Sequence, residues 1–279
     1  MDLETDRAVS THGTADANHD DPGKRDPLYV ASVGKCFEIL ECLNRARQPL
    51  TLTQLVASSG LDKSSVQRFT HTLKKLGYIR QHPVNRAYVL SNRMLEFGKT
   101  VLTTDPVREI SQPHLEKLNQ LCGETTNLIK LDGHEIVYMS RFPGRHPVSV
   151  NLHIGSRLPA FCTAPGRAIL AFLPAEKTLE VLNSGPRQRM TRHTVTDLSA
   201  LLTILDEVRA TGYALNNQEA FLGDISIAAP ILNADRAPIA AVNIAVTYPR
   251  WSVADVQPKL AAMLTACARS ISDDLVSFV

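Results

Sequence analysis

The chain has 279 residues, 44% hydrophobic and 21% charged, a composition typical of a globular protein of about two domains. It has no apolar run of about 18 residues and no basic N-terminal segment followed by an apolar one, so we expect a cytoplasmic protein without a membrane span or a secretory signal. Its five cysteines are scattered and form no CxxC pair, which argues against a disulfide framework or a zinc finger.

The formal net charge of +2 is unevenly distributed along the chain. Residues 1–26 carry seven acidic and three basic side chains and few large apolar ones, so we predict a disordered tail. Residues 27–99 carry eleven Lys or Arg and four acidic residues, a net charge of +7, whereas residues 100–279 have a net charge of −1. A short basic block of this kind is typical of a module that binds a polyanion.

The first two predicted helices are marked by their N-terminal caps. Ser32 is a candidate N-cap of the first helix. Thr51 and Gln54 have the spacing of a capping box at the start of a short second helix, which we expect to end at Gly60.

A third helix is predicted over 62–76, with Asp62 as its N-cap. Two short helices joined by a turn that contains glycine are typical of a helix-turn-helix. Two short strands predicted over 78–81 and 86–90 follow at the position of a wing.

The third helix has two different faces at 100° per residue. One is an apolar stripe of Val66, Phe69, Leu73 and Leu76. The opposite face carries side chains that suit base edges or phosphates, namely Ser64, Gln67, Arg68, His71 and Lys75. A solvated helix face is the alternative interpretation, but the capped helices, the wing and the local charge together favour DNA binding.

Further phosphate contacts are expected around this helix. Its first residues, Lys63, Ser64 and Ser65, are expected to hold a phosphate on free backbone amides. The flanking basic residues expected to bind phosphates are Lys35, Lys74, Arg80 and Arg86.

The rest of the chain is predicted to be a linker over 92–122 and a second domain over 123–279. Two helical stretches begin at Asn92 and at Asp105, the second with Pro106 in its first turn. Strands are then predicted over 126–131, 135–141, 148–152, 226–232 and 239–246, and helices over about 165–172, 198–210 and 255–275. The predicted fold class is therefore α+β, with a winged helix-turn-helix over 27–91, linker helices and a mixed α/β domain.

Several separated segments resemble the IclR-type regulators over about residues 28–275. They are GLDKSSVQR at 60–68, HIGSRLP at 153–159, TAPGRA at 163–168, GYA at 212–214 and IAAP at 227–230. The segments DPLYV at 26–30 and RLPAFCT at 157–163 are most similar to the subgroup that controls protocatechuate, p-hydroxybenzoate and β-ketoadipate catabolism.

This resemblance implies a ligand-responsive transcriptional regulator. Its C-terminal domain would be GAF-like and would bind and respond to a small organic acid, aromatic in some relatives. Its partners would be a double-stranded DNA operator and further copies of itself, in a dimer or a dimer of dimers, with no cofactor and no membrane. The protein would act in the bacterial cytoplasm, on the nucleoid when bound to DNA, as an activator or a repressor.

The resemblance also implies an effector pocket. The family positions that line it are Ala164, Asn216, Ser226 and Asn243 in this sequence. The Thr163 hydroxyl and the amides that follow it would hold a carboxylate, although Pro165 has no amide to donate. The residues expected in the apolar wall are Met139, Ile154 and Phe161. The alternative is that these polar residues only satisfy strand ends.

The alternatives to a ligand-responsive regulator are an enzyme or metal protein and an architectural DNA-binding protein. His146, His153 and Cys162 suggest a thiol nucleophile or a metal site, but no carboxylate pair or ligand cluster accompanies them. We therefore predict no catalytic residue, no metal site and no enzymatic activity. An architectural DNA-binding dimer without a ligand is the other alternative, and a polar cavity near Thr163 and Ser226 would count against it.

Overall fold

The computed structural model describes residues 27–146 and 150–278, without the side chain of Phe278. The chain divides into two units, one ending at Gly98 and one beginning at Lys99. This boundary lies inside a helix, Met94–Thr103. The tail predicted over 1–26 lies outside the described residues. No helix in the described part of the chain combines the length and the apolar character that crossing a membrane requires.

The first unit contains three helices and a hairpin. The helices are α1 (Ala31–Ala46), α2 (Leu52–Ser59) and α3 (Lys63–Lys75), the strands are β1 (Ile79–Gln81) and β2 (Tyr88–Leu90), and α4 (Met94–Thr103) begins in this unit. The three helices and the hairpin enclose one hydrophobic core, whose fully buried side chains include Ile39, Leu55, Val66 and Ile79.

The caps of α2 and α3 have the predicted chemistry, but that of α1 does not. The backbone amide of Thr51 donates to Gln54 Oε1 at 2.8 Å and the Gln54 amide donates to Thr51 Oγ1 at 3.4 Å, which completes the capping box. Asp62 caps α3. The predicted cap Ser32 is wrong, because α1 begins at Ala31 and Val30 occupies the cap position without a side-chain hydrogen bond.

The hairpin follows α3 as predicted. β1 and β2 are antiparallel, with Ile79 opposite Leu90, and Leu50 forms an additional bridge with Tyr88. The turn is closed by the His82 amide, which donates to the carbonyl of Ala87 at 2.8 Å. The winged helix-turn-helix is therefore confirmed.

The second unit is built on a six-stranded sheet. Its elements in chain order are α5 (Pro106–Cys122), β3 (Thr125–Asp132), β4 (Glu135–Phe142), β5 (Arg157–Pro159), a 3-10 turn (Ala160–Cys162), α6 (Ala164–Leu170), α7 (Ala175–Asn183), α8 (Leu198–Thr211), β6 (Ala214–Asn217), β7 (Asp224–Leu232), β8 (Pro238–Thr247) and α9 (Val253–Phe278). The strand order is β5-β4-β3-β8-β7-β6, and each neighbouring pair is antiparallel.

Helices cover both faces of this sheet. Successive side chains of a strand point to opposite faces, so Ile227 and Ala228 belong to different hydrophobic clusters. Ile227 packs in the cluster that contains Leu115 of α5 and Leu264 of α9, and Ala228 in the one that contains Leu170 of α6. The mixed α/β character of the C-terminal domain is therefore confirmed.

Three details differ from the prediction. Residues 150–152 form no strand, and 147–149 lie outside the described residues, while the partner of β4 at this edge is β5. The helix α7 and the short strand β6 have no counterpart in the prediction. α5 was expected to be part of a linker, but Val107, Leu115 and Leu118 bury it in the core of the second unit.

Candidate DNA-reading helix and ligand cavity

The two faces of α3 differ in exposure as the helical period predicts, with one exception. Val66 and Leu73 are buried, whereas Ser64, Gln67, Arg68, His71 and Lys75 are exposed together on the opposite side. Leu76 does not belong to the core stripe, because the helix ends at Lys75 and the Leu76 side chain is 51% exposed. The buried Thr70 packs beside the stripe instead, and its hydroxyl donates to the carbonyl of Val66 at 2.8 Å.

The N-terminus of α3 is already occupied by its cap. Asp62 Oδ1 accepts the backbone amide of Ser65 at 2.8 Å, and Asp62 Oδ2 accepts the Ser65 hydroxyl at 2.6 Å. These hydrogen bonds to the ionised form lower the pKa of Asp62. The expectation that Ser65 offers a free amide to a phosphate is therefore wrong, while Lys63 and Ser64 remain exposed.

The flanking cations lie on α1, on α3 and on the hairpin. Lys35 is exposed on α1, Arg80 on β1 and Arg86 in the turn of the hairpin, where its backbone has a φ of +58°. Lys74 is held against the hairpin, because its Nζ donates to Gln81 Oε1 at 3.1 Å. Basic side chains thus extend from α3 to the wing.

A cavity of about 660 Å³, counted with its open mouth, lies in the second unit on the α6 face of the sheet. Its polar lining includes Asn127, Tyr138, Arg141, Thr163, Asn216, Asp224, Ser226 and Asn243. Its apolar lining includes Leu152, Leu158, Phe221, Ala245 and Val246. The cavity wall therefore combines polar side chains with apolar ones, as in sites where polar groups orient a ligand.

Strand register places a row of polar side chains across this cavity. Asn127 of β3 lies opposite Arg141 of β4 on one side and opposite Asn243 of β8 on the other. Arg141 Nη1 donates to Asn127 Oδ1 at 3.2 Å, and Asn127 Nδ2 donates to Asn243 Oδ1 at 2.7 Å. Arg141 Nη2 also donates to the carbonyl of Val150 at 3.2 Å. The row holds one permanently charged guanidinium at the cavity wall.

Asp224, the first residue of β7, brings a carboxylate to the same cavity. Burial raises the pKa of Asp224 to about 7, against the opposing effect of the positive charge of Arg141. Burial, and secondly the Asp224 carboxylate, raise the pKa of Tyr138. Because β3 and β8 separate β4 from β7, the sheet must curl to bring these charges within range of each other.

The polar groups near α6 are engaged within the protein. The Thr163 hydroxyl caps α6 by accepting the Gly166 amide at 3.3 Å, so the expected anion site on these amides is not formed. Asn216 Nδ2 donates to the carbonyl of Cys162 at 2.7 Å, and Asn216 Oδ1 accepts the amide of Glu219 at 3.2 Å. Asn216 therefore ties the 3-10 turn to the segment after β6.

A buried ion pair lies next to Asn216. Arg167 of α6 is 2% exposed, and its Nη1 and Nη2 donate to the two carboxylate oxygens of Glu219 at 2.5 and 2.7 Å. Arg167 Nε also donates to the carbonyl of Phe161 at 2.8 Å, and the amide of Val195 donates to Glu219 Oε2 at 2.9 Å. This bidentate pair fixes α6, the 3-10 turn and the segment after β6 to one another.

Four of the eight predicted effector residues line the cavity, namely Thr163, Asn216, Ser226 and Asn243, and four do not. Met139 and Phe161 are buried in the two hydrophobic clusters, and the carbonyl of Met139 accepts a hydrogen bond from Arg108 Nε at 3.0 Å. Ala164 is buried inside α6, and Ile154 is 44% exposed. The prediction that Met139, Ile154 and Phe161 form the apolar wall of the cavity is therefore wrong.

The prediction missed Asn127, Tyr138, Arg141 and Asp224. The sequence contained a signal for two of them, because Asn127 and Arg141 interrupt the apolar strands β3 and β4 with polar side chains. A polar residue inside a strand that is otherwise buried indicates a partner or a ligand on that face.

The residues considered for catalysis or metal binding do not form such a site. Burial raises the pKa of Cys162 to about 12, so its thiol stays protonated and is a poor nucleophile. His146 and His153 are exposed. Within residues 27–146 and 150–278, no three His, Cys, Asp or Glu side chains are grouped as ligands for a metal ion.

Comparison with known proteins identifies the family. The family model described as the bacterial transcriptional regulator IclR C-terminal domain matches residues 99–273, and the IclR helix-turn-helix domain matches residues 32–83. The chain is 29% identical to the Pca regulon regulatory protein of Pseudomonas putida, over 90% of this chain and 86% of that protein. It is 34% identical to the p-hydroxybenzoate hydroxylase transcriptional activator of Acinetobacter baylyi, over 77% of this chain and 80% of that protein.

A solved structure agrees with these matches. The crystal structure of Thermotoga maritima IclR is 25% identical and superposes with a TM-score of 0.69, over 89% of this chain and 100% of that chain. The matched proteins are transcriptional regulators rather than enzymes. With a winged helix-turn-helix followed by a mixed α/β domain, this chain belongs to the IclR family of bacterial transcriptional regulators.

Proposed function

We propose that the protein binds an operator by placing the exposed face of α3 in the major groove of double-stranded DNA. The net charge of +7 over residues 27–99 and the exposure of Gln67, Arg68 and His71 support this proposal. Arg pairs with guanine and Gln with adenine through two hydrogen bonds each. Lys63, Ser64 and Lys75 extend this face, and Lys35, Arg80 and Arg86 add phosphate contacts.

The test is the double variant Gln67→Ala with Arg68→Ala. We expect it to lose preferential binding to the operator while its circular dichroism spectrum stays unchanged, since both side chains are exposed. The matched control is Gln188→Ala with Arg189→Ala, which removes the same two residue types from an exposed segment of the second unit. Operator binding by the Gln67 and Arg68 variant with the affinity of the control would contradict the assignment.

We further propose that a small organic acid binds in the cavity of the second unit and alters DNA binding. The observation that carries this proposal is the guanidinium of Arg141 in the cavity wall, where Glu124 is paired with Arg250 and burial raises the pKa of Asp224 to about 7. Ser226 and Asn243 lie on the same face of the sheet, and we assign them as effector-contacting residues together with Thr163 and with Asn216, which pairs with Ser226. The polar cavity also counts against an architectural protein without a ligand.

The proposed effector class is aromatic acids, and the proposed targets are genes of aromatic or organic-acid catabolism. The two curated relatives, one of them an activator of p-hydroxybenzoate hydroxylase, support this class. A thermal-shift screen of benzoates and dicarboxylates should find a stabilising acid, which then changes operator affinity. Arg141→Gln should abolish that stabilisation, whereas Arg189→Gln should leave it intact. Conversion of the acid into a product would contradict a sensor role.

The proposed assembly is a homodimer, or a dimer of dimers, that presents two copies of α3. Exposed apolar side chains support it, with Val33 and Phe37 of α1 exposed by 52% and 60%, and Leu95 and Phe97 of α4 by 72% and 56%. Single exposed apolar residues are common, but several in one unit indicate a contact surface. Val33→Asp with Phe37→Asp should lower the molar mass measured by light scattering. An unchanged molar mass would contradict an interface at Val33 and Phe37.

A further inference from the structure

The exposed side of α3 is a groove whose cations have no acidic partner within the described residues. The groove has a volume of about 710 Å³, counted with its open mouth, and is lined by Ser64, Gln67, Arg68, His71 and Thr72. Lys63 and Lys75 lie exposed at the two ends of the helix. No described side chain forms an ion pair with Lys63, Arg68 or Lys75. These seven residues form the α3 face, a positively charged surface that is open to an anionic partner.

The acidic residues of the same unit that the structure describes are engaged in other contacts. The four acids of residues 27–99 are Glu38, Glu41, Asp62 and Glu96. Glu38 and Glu41 form ion pairs with Arg45 of their own helix. Asp62 is used as the cap of α3, and Glu96 has an interaction of its own on α4. None of these acids is therefore available to offset the charge of the α3 face.

The acidic charge of this unit lies in residues 1–21, which we call the acidic segment. It carries six acidic side chains and one basic one, a net charge of −5, and it lies outside the described residues. Its last residue, Asp21, is ten positions before Ala31, where α1 begins. Ten residues of extended chain reach about 35 Å, whereas a unit of about 70 residues is about 30 Å across. Because α1 and α3 share one hydrophobic core, the acidic segment can reach the α3 face.

We propose that the acidic segment docks on the α3 face and competes with DNA for it. Its carboxylates take the place of DNA phosphates opposite Lys63, Arg68 and Lys75, since both groups accept hydrogen bonds from the same cations. The segment and the face belong to one chain, so their effective concentration is on the order of millimolar and weak ion pairs suffice for docking. Docking lowers the affinity for every duplex by the same factor, and that factor falls as salt screens the ion pairs. This inference rests on the proposed function, since it gives the DNA-reading face a second occupant.

Zero-length cross-linking tests the docking in the absence of DNA. A carbodiimide joins a carboxylate to a lysine amine when the two are in contact, and mass spectrometry of the digested full chain locates each link. We expect links from the acidic segment to Lys63 and Lys75, which high salt or added duplex DNA removes. The internal control is the pair of Lys177 and Glu180, whose Nζ and Oε1 are 2.8 Å apart. Formation of the control link without any link from the acidic segment to α3 would overturn the docking.

Charge-neutralising variants test the competition with DNA. The segment variant carries Asp2→Asn, Asp6→Asn, Asp16→Asn, Asp20→Asn and Asp21→Asn. We expect it to bind a random-sequence duplex about 3- to 30-fold more tightly than the wild type at low salt, the combined size of a few exposed ion pairs. The gain should vanish at high salt, where the ion pairs are screened.

A matched control separates docking from total charge. It removes the same number of exposed acids from the second unit, by Glu116→Gln, Glu176→Gln, Glu207→Gln, Asp235→Asn and Asp273→Asn. Its affinity for the random-sequence duplex should stay within about twofold of the wild type, because salt screens charges that lie far from the bound DNA.

The outcomes separate this inference from the proposed function. Equal affinity of the segment variant and the wild type for DNA, or an equal gain in the matched control, would overturn the competition. Cross-links to Lys63 and Lys75 that persist unchanged when DNA is bound would also overturn it. A wild-type protein that binds no duplex at low salt would instead overturn the proposed function, and the cross-links would then decide the docking alone.

Discussion

The buried pair of Arg167 and Glu219 gives a sharp prediction about stability. Glu219→Gln leaves the guanidinium of Arg167, 2% exposed, with the carbonyl of Phe161 and a neutral amide in place of a carboxylate. Removing one partner of a buried pair costs about 3–5 kcal/mol. For a unit of this size we expect the melting temperature to fall by roughly 6–20 °C.

The same reasoning predicts strong non-additivity. Arg167→Met alone leaves the Glu219 carboxylate buried with only the Val195 amide as a described donor, and should cost a similar amount. Replacing both residues, with Arg167→Met and Glu219→Leu, removes both charges and leaves the Val195 amide and the Phe161 carbonyl without these partners, which costs about 1–3 kcal/mol for each group. The double variant should therefore lose less stability than the sum of the losses in the two single variants.

Fluorescence is a suitable assay because the chain has a single tryptophan, Trp251, which lies in the second unit. Urea unfolding followed at Trp251 reports the unit that contains the ion pair. The control is Glu180→Gln, the same substitution in the exposed pair with Lys177, which should cost less than about 1 kcal/mol. Costs of the single variants that add within about 0.5 kcal/mol in the double variant would refute the reasoning.

Three further predictions concern pH, packing and capping. Burial raises the folded-state pKa of Asp224 from 3.8 to about 7. The free energy of unfolding of the wild type should therefore fall relative to that of Asp224→Asn as the pH rises from about 4 to 7. A difference in free energy that stays constant over this pH range, measured by urea unfolding, would contradict this. Gly166→Ala places a methyl group 2.1 Å from the carbonyl oxygen of Ala160 and should destabilise the second unit by about 1–3 kcal/mol or more. The control is Gly98→Ala, which has open space around it in α4 and should stabilise that helix by about 0.5–1 kcal/mol. Thr51→Ala should cost the first unit about 0.5–2 kcal/mol, measured by thermal unfolding followed by circular dichroism, and no loss would contradict the role of the capping box.

Local chemistry explains why the first unit was predictable. The capping box of Thr51 and Gln54 and the cap of Asp62 join residues three positions apart, so a short stretch of sequence contains both partners. The exposed face of α3 follows from the helical period alone. The same period misplaced Leu76, because it does not determine the residue at which the helix ends.

The effector side was predictable only in part, because strand irregularities decide which side chains face the cavity. The pairing of β3 with β4 shifts register between Leu128 and Ile129, opposite Tyr138 and Ser140, and Met139 is the extra residue between those partners. A bulge of this kind changes the face to which the following side chains point. Tyr138 therefore reaches the cavity and Met139 does not.

The sequence by itself determined most of the helices and strands, the basic block, the exposed polar face of α3 and the family, because caps, periodicity and motifs are local properties of the chain. Only the tertiary structure determined which side chains line the cavity. Asn127 meets Asn243 across 116 positions of sequence, and Arg141 comes to face Asp224 because the sheet curls. Strand order and curvature are set by packing on both faces of the sheet, and no short segment of sequence carries that information.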